Sequence, residues 1–143
     1  MVYYVNYDQL RLRQRFLSEL ADAAEKLDRE WFGAAPFGAY AQERILHLAI
    51  ESVTDIGSLL IDGFMMRDAG SYEDIIEILR GEEVMDERVA AFLTDLIRLR
   101  RPLVQDYVHF DRASRHPLLA GLPDTLRSFS VQVDQFLERQ PLK

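Results

Sequence analysis

The segment "AYAQERILHLAIESVTDIGSLLI", residues 39–61, limits the fold more than any other part of the chain. Its apolar residues recur at helical spacing and on more than one side, and a helix of that length spans about 35 Å. Such a helix is stable only where other elements cover it on several sides. No segment shows the sustained apolar/polar alternation of a half-buried strand, so the covering elements are helices too. The expected class is all-α.

The rest of the chain supplies them. Asn6 with Gln9 reads as a capping box, and Phe16, Leu17, Leu20, Ala24, Leu27 and Trp31 then share one face, giving a first helix from about Tyr7 to Phe32. "GAAPFG" breaks it. After the loop "DGFMMRDAGS", Ser71 and Asp74 cap the short helix "YEDIIEILR", which Gly81 closes as a residue past the last turn. Asp86 starts a helix with Val89, Phe92, Leu93, Leu96 and Leu99 on its apolar face, ended or kinked by Pro102. A last helix runs from about Pro123 to Arg139 through Leu126, Phe129, Val133, Phe136 and Leu137. Short connections make this an antiparallel up-and-down bundle of four to five helices in one domain, residues 1–143.

Composition removes several function classes. No apolar run approaches the roughly 20 residues of a membrane span, and the start "MVYYVNYDQLRLRQ" lacks the order of a signal peptide, so a cytoplasmic protein is expected. With no cysteine, disulfides and thiolate chemistry are excluded. A formal charge of −7 argues against broad nonspecific nucleic-acid binding, so any phosphate contact must be local. No glycine-rich phosphate loop, Gly-x-Ser-x-Gly elbow or His-Glu-x-x-His pair is present, and Glu43 to His47 is one residue too long for the Glu-x-x-His of a di-metal bundle.

Two features carry polar chemistry. On the long central helix, His47, Glu51, Asp55 (or Thr54), Ser58 and Asp62 follow at three- and four-residue steps, forming either a solvated side or a carboxylate wall facing arginines. Those arginines lie in "RLRRPLVQDYVHFD", residues 98–111, where Arg98, Arg100 and Arg101 either cap a helix end or line a cleft. An arginine in a partly dry cleft needs a carboxylate, so Glu51 or Asp55 is expected to approach Arg100 or Arg101.

The run "ERILHLAIESVTDIGSLLIDGFMMRDAGSYEDIIEIL" followed by "LIRLRRPLVQDYVHFD" resembles the HepT-like branch of the HEPN families. The resemblance covers roughly residues 40–111. It implies a homodimer whose two Arg-x4-His-x-Tyr motifs meet in a cleft, a metal-independent ribonuclease toxin that needs no cofactor. It also implies a minimal nucleotidyltransferase antitoxin as partner, able to modify the motif tyrosine. Arg100 takes the arginine position and Tyr107 the tyrosine position, while Gln105 stands where the histidine belongs. A histidine can move a proton near neutral pH; a glutamine only donates and accepts hydrogen bonds. RNA binding is therefore expected to persist where cleavage is weak or lost. If residues 103–110 are helical, His109 lies one turn from Gln105 and could act as a displaced acid or base. A noncatalytic dimeric module that binds a protein or a nucleotide through the same cleft is the alternative reading. The broad apolar surface of the central helix is a further reason to expect a dimer.

Overall fold

The computed structural model describes residues 3–141, and among them every regular element is helical. Five helices of ten residues or more, α1 (Tyr7–Arg29), α2 (Phe37–Gly63), α3 (Tyr72–Gly81), α4 (Glu87–Ile97) and α6 (Pro117–Glu138), form an antiparallel bundle; α5 (Arg100–Val104) is short. Two 3₁₀ turns, Trp31–Gly33 and Tyr107–His109, sit in the connections.

The local start signals act as read. The side-chain oxygens of Asn6, Ser71 and Asp86 accept from the backbone N–H groups of Gln9, Asp74 and Val89 at 3.2, 3.0 and 2.9 Å, each satisfying a donor that a helix start leaves unpaired. The central helix α2 is contacted by α1, α3, α4, α5 and α6, which is why Leu46, Ile50, Val53, Ile56 and Leu60 are fully buried. Beyond its first turn, its apolar surface is thus covered within the chain, contrary to the reason first given for a dimer. The large apolar side chains that stay exposed lie at the start of α2 and outside it, with Phe32 90%, Phe37 78% and Val108 70% exposed. Gly57 lets α3 close on α2: a Cβ there would lie 2.5 Å from Ile75 Cγ2.

Four boundaries differ from the sequence reading. The first helix ends at Arg29, and Trp31 and Phe32 enter a 3₁₀ turn instead. Gly81 is the last residue of α3, not the residue past its end. The left-handed backbone falls on Glu83 (φ 61°), with Val84 N–H donating to Leu79 C=O at 2.9 Å and Glu83 N–H to Arg80 C=O at 3.1 Å. Burial of Val84 sets this register and offsets the 1–2 kcal/mol that a left-handed conformation costs a non-glycine residue. The break expected at Pro102 comes earlier, after Ile97. Pro102 lies in the first turn of α5, where its missing N–H has no helical partner to lose.

The last helix starts at Pro117, six residues before Pro123. Pro123 sits inside it because Leu119 and Leu122, both fully buried, continue the stripe of Leu126, Phe129 and Val133, and their burial outweighs the roughly 3 kcal/mol cost of an interior proline. His116 caps this helix, its Nδ1 accepting from Leu118 N–H at 3.1 Å. Its own N–H donates to Gln42 Oε1 at 2.7 Å, so a buried glutamine of α2 holds the approach to α6.

Burial holds the His116 imidazole below the ordinary histidine range. The folded state then disfavours a proton that the unfolded chain accepts near pH 6.5, so this cap contributes stability above that pH and loses it as the pH falls. His116→Asn keeps a capping oxygen without a titrating group. Its melting temperature is expected to fall less between pH 7 and pH 5 than that of the wild type, and equal falls would show that the cap does not titrate with folding.

Candidate functional site

The polar stripe of α2 divides along its length. Asp55, Ser58 and Asp62 are exposed, and the Asp55 carboxylate pairs with Arg13 of α1 at 3.3 Å, away from the arginines of α4 and α5. Thr54 is buried and donates back to the Ile50 carbonyl at 2.9 Å. One and two turns earlier, Glu51 and His47 are half-buried, and Glu51 faces the starts of α3 and α5.

There Glu51 organises a small network. Arg100 Nε donates to Glu51 Oε1 at 3.3 Å, and the Tyr72 hydroxyl donates to Glu51 Oε2 at the same distance. The Arg100 guanidinium carbon stands 4.2 Å from the centroid of the Tyr72 ring. His47 Nε2 lies 3.6 Å from Glu51 Oε1. Arg44 Nη1 lies 3.5 Å from His47 Nδ1, and because arginine can only donate, a bond there has the imidazole nitrogen as acceptor. The expected approach of a helix-two carboxylate to the arginine cluster is present for Glu51 and Arg100.

Arg100 is about one third exposed, stacked on an aromatic face and bonded through Nε. Its two Nη groups make no side-chain hydrogen bond among the described residues. A guanidinium fixed in this way offers a planar fork for an anion, the geometry that suits phosphate. Cation–π stacking contributes roughly 0.5–2 kcal/mol to holding it there.

The other arginines are arranged differently. Arg98, at the end of α4, pairs with Glu73 at 2.6 Å and with Asp95 at 3.9 Å. Arg101 is exposed, and its carbonyl accepts from the N–H groups of Gln105 and Asp106 at 2.8 and 3.1 Å, closing α5. Gln105 is the exposed cap residue of that helix.

Residues 103–110 are not one helix. Asp106 leaves helical geometry (φ −113°, ψ 40°) and Tyr107–His109 form a 3₁₀ turn, so the one-turn relation between Gln105 and His109 is absent. The His109 side chain is 79% exposed, with Nδ1 2.8 Å from Asp106 Oδ1. Tyr107 is 56% exposed.

Two contributors were not picked out by the sequence reading. In the sequence Tyr72 reads only as the first residue of a helix. Arg112 makes a two-pronged pair with Glu43 of α2, Nε to Oε2 at 2.6 Å and Nη2 to Oε1 at 2.8 Å, and Nη2 also donates to the Tyr107 carbonyl at 2.7 Å. The carboxylate raises the Arg112 pKa above its ordinary value, so the tether of the Tyr107 turn stays charged. Glu43 precedes His47 and Glu51 at four-residue steps on the same helix, and that spacing was the available signal. Among the described residues no helix is long and apolar enough to cross a membrane.

Comparison with known proteins shows the family and the fold. A family model described as "Ribonuclease HepT-like" matches residues 13–115. The chain is 40% identical over 103 residues to the Bacillus subtilis (strain 168) protein named "Putative RNase YutE", an alignment covering 72% of each. A solved structure of YutE from Bacillus subtilis, described as a cytosolic protein of unknown function, superposes with a TM-score of 0.85 at 31% identity over 99% of both chains. The matched residues include the Glu51–Arg100 pair, the Tyr107 turn and Arg112, and the chain belongs to the HepT-like ribonuclease family.

Proposed function

We propose that this HEPN ribonuclease-type protein holds RNA phosphate at Arg100 and cleaves RNA weakly or not at all. The observation that carries this reading is the guanidinium of Arg100, oriented by Glu51 and Tyr72, beside a motif whose proton-transfer position is Gln105. Arg98 and Arg101 flank Arg100 and extend the basic edge of the cleft; Asp55, turned toward Arg13, drops out of the proposed site. The protein works in the cytoplasm as a homodimer, for which exposed Val108, next to the motif tyrosine, offers an apolar contact. Its partner is a minimal nucleotidyltransferase antitoxin, for which the exposed Tyr107 is a reachable acceptor. Gln105 equally favours a second reading, a noncatalytic binding module using the same cleft.

Fluorescence anisotropy with labelled single-stranded RNA and no added metal tests the binding half. Arg100→Ala is expected to weaken binding roughly 10- to 150-fold, the loss of a charge-assisted hydrogen bond of about 1.5–3 kcal/mol. Light scattering over a range of concentrations should give about twice the 16.6 kDa chain mass. Unchanged affinity in Arg100→Ala would remove the phosphate site, and a monomer throughout would remove the shared cleft.

A further inference from the structure

Phe32 (90% exposed) and Tyr40 (62% exposed) stand at the rim of a concavity of about 420 Å³, walled also by Trp31, Pro36 and Arg112. Bare aromatic rings around a hollow are unusual on a water-soluble surface and mark places where something planar or apolar is received. Three features connect this hollow to the Arg100 network. Arg112, in its wall, is the residue that holds the Tyr107 turn through the backbone carbonyl. Tyr40, Arg44, His47 and Glu51 descend one face of α2 at four-, three- and four-residue steps, so the hollow lies about 16 Å along the helix from the carboxylate that orients Arg100. Arg44, exposed between the two ends, adds a positive charge on that path.

We infer that this hollow is a stacking subsite for a nucleobase of single-stranded RNA whose backbone runs along α2 to the phosphate held at Arg100. The Arg112 guanidinium lies 5.5 Å from the Tyr40 ring centroid, and its Nη1 makes no hydrogen bond among the described residues, so it can bond a base edge or ribose while Tyr40 and Phe32 supply aromatic faces. Stacking accepts any base, so the subsite confers a preference for unpaired strands and not for a sequence. In an acidic chain this gives RNA an attachment that does not depend on a broad basic surface. The inference rests on the proposed RNA-binding reading.

Trp31 is the only tryptophan, so its fluorescence reports on the hollow directly. The probes are a single-stranded oligoadenylate of about six nucleotides, with a fluorescent end for anisotropy, and a ribose-phosphate oligomer of the same length without bases. The oligoadenylate is expected to change Trp31 emission saturably and the abasic oligomer to leave it unchanged. Tyr40→Ser and Phe32→Ser, both at exposed positions, should each weaken oligoadenylate binding about 5- to 150-fold, the worth of one base–aromatic stack. Arg100-dependent binding that leaves Trp31 silent and is indifferent to Tyr40→Ser would overturn the subsite while preserving the phosphate site. No binding by either optical signal would remove the RNA reading and the subsite together. A switch from dimer to monomer in Phe32→Ser and Tyr40→Ser would assign the aromatic rim to the subunit interface and overturn the inference.

Discussion

Gln105→His is expected to raise metal-free RNA cleavage about 10²- to 10⁴-fold over the wild type, the usual contribution of a positioned general acid or base. The arginine half of the motif is already arranged: Arg100 is fixed by Glu51 and by the Tyr72 ring, with its Nη groups free of side-chain bonds among the described residues. On the proposed reading, what position 105 lacks is a group that changes protonation near neutral pH, since glutamine has none. Position 105 is exposed and caps α5, so a histidine fits there without disturbing the core. Adding Arg100→Ala to Gln105→His should remove the gain, because a base without a held phosphate has nothing to act on. A Gln105→His variant no faster than the wild type, with unaltered RNA affinity, would mean that position 105 does not face the scissile bond.

Phe129→Ala is expected to cost about 3–5 kcal/mol of folding stability. The ring is fully buried on α6, the helix that packs against α1, α2 and α4. Its removal forfeits the transfer free energy of an aromatic side chain and leaves a cavity that a close-packed bundle closes only partly. Against a typical stability of 5–15 kcal/mol this is a large fraction. Val131→Ala, two residues away on the same helix but 54% exposed, should stay within about 0.5 kcal/mol. Urea unfolding reads both: the Phe129→Ala midpoint should fall at an unchanged slope, and a loss below 1 kcal/mol would mean that the core around α6 is not close-packed.

What was legible in the sequence was what local chemistry decides. Asn6, Ser71 and Asp86 act within three residues of themselves, and each caps its helix where the sequence places it. Pro123 and Gly81 misled because distant packing overrode local preference: Leu119 and Leu122 draw the turns before Pro123 into the helix, and Val84 moves the left-handed residue to Glu83. The same division runs through the candidate site. The four-residue spacing of the α2 stripe offers Glu51 and Asp55 alike; Glu51 faces Arg100, whereas Asp55, one turn on, faces Arg13. Tyr72 under Arg100 depends on how closely α3 docks at Gly57, and the Glu43–Arg112 pair joins residues 69 positions apart; no local pattern contains either.

The most direct test is single-turnover cleavage of structured and single-stranded RNA by wild-type protein and His109→Ala, in chelator, at protein concentrations that saturate binding. The expected result is weak or no cleavage in both, with undiminished affinity, since His109 is exposed, sits beyond a break in the helix and is paired with Asp106. Robust wild-type cleavage that disappears in His109→Ala would contradict it, showing that the displaced histidine carries the proton and that Gln105 has not silenced the site.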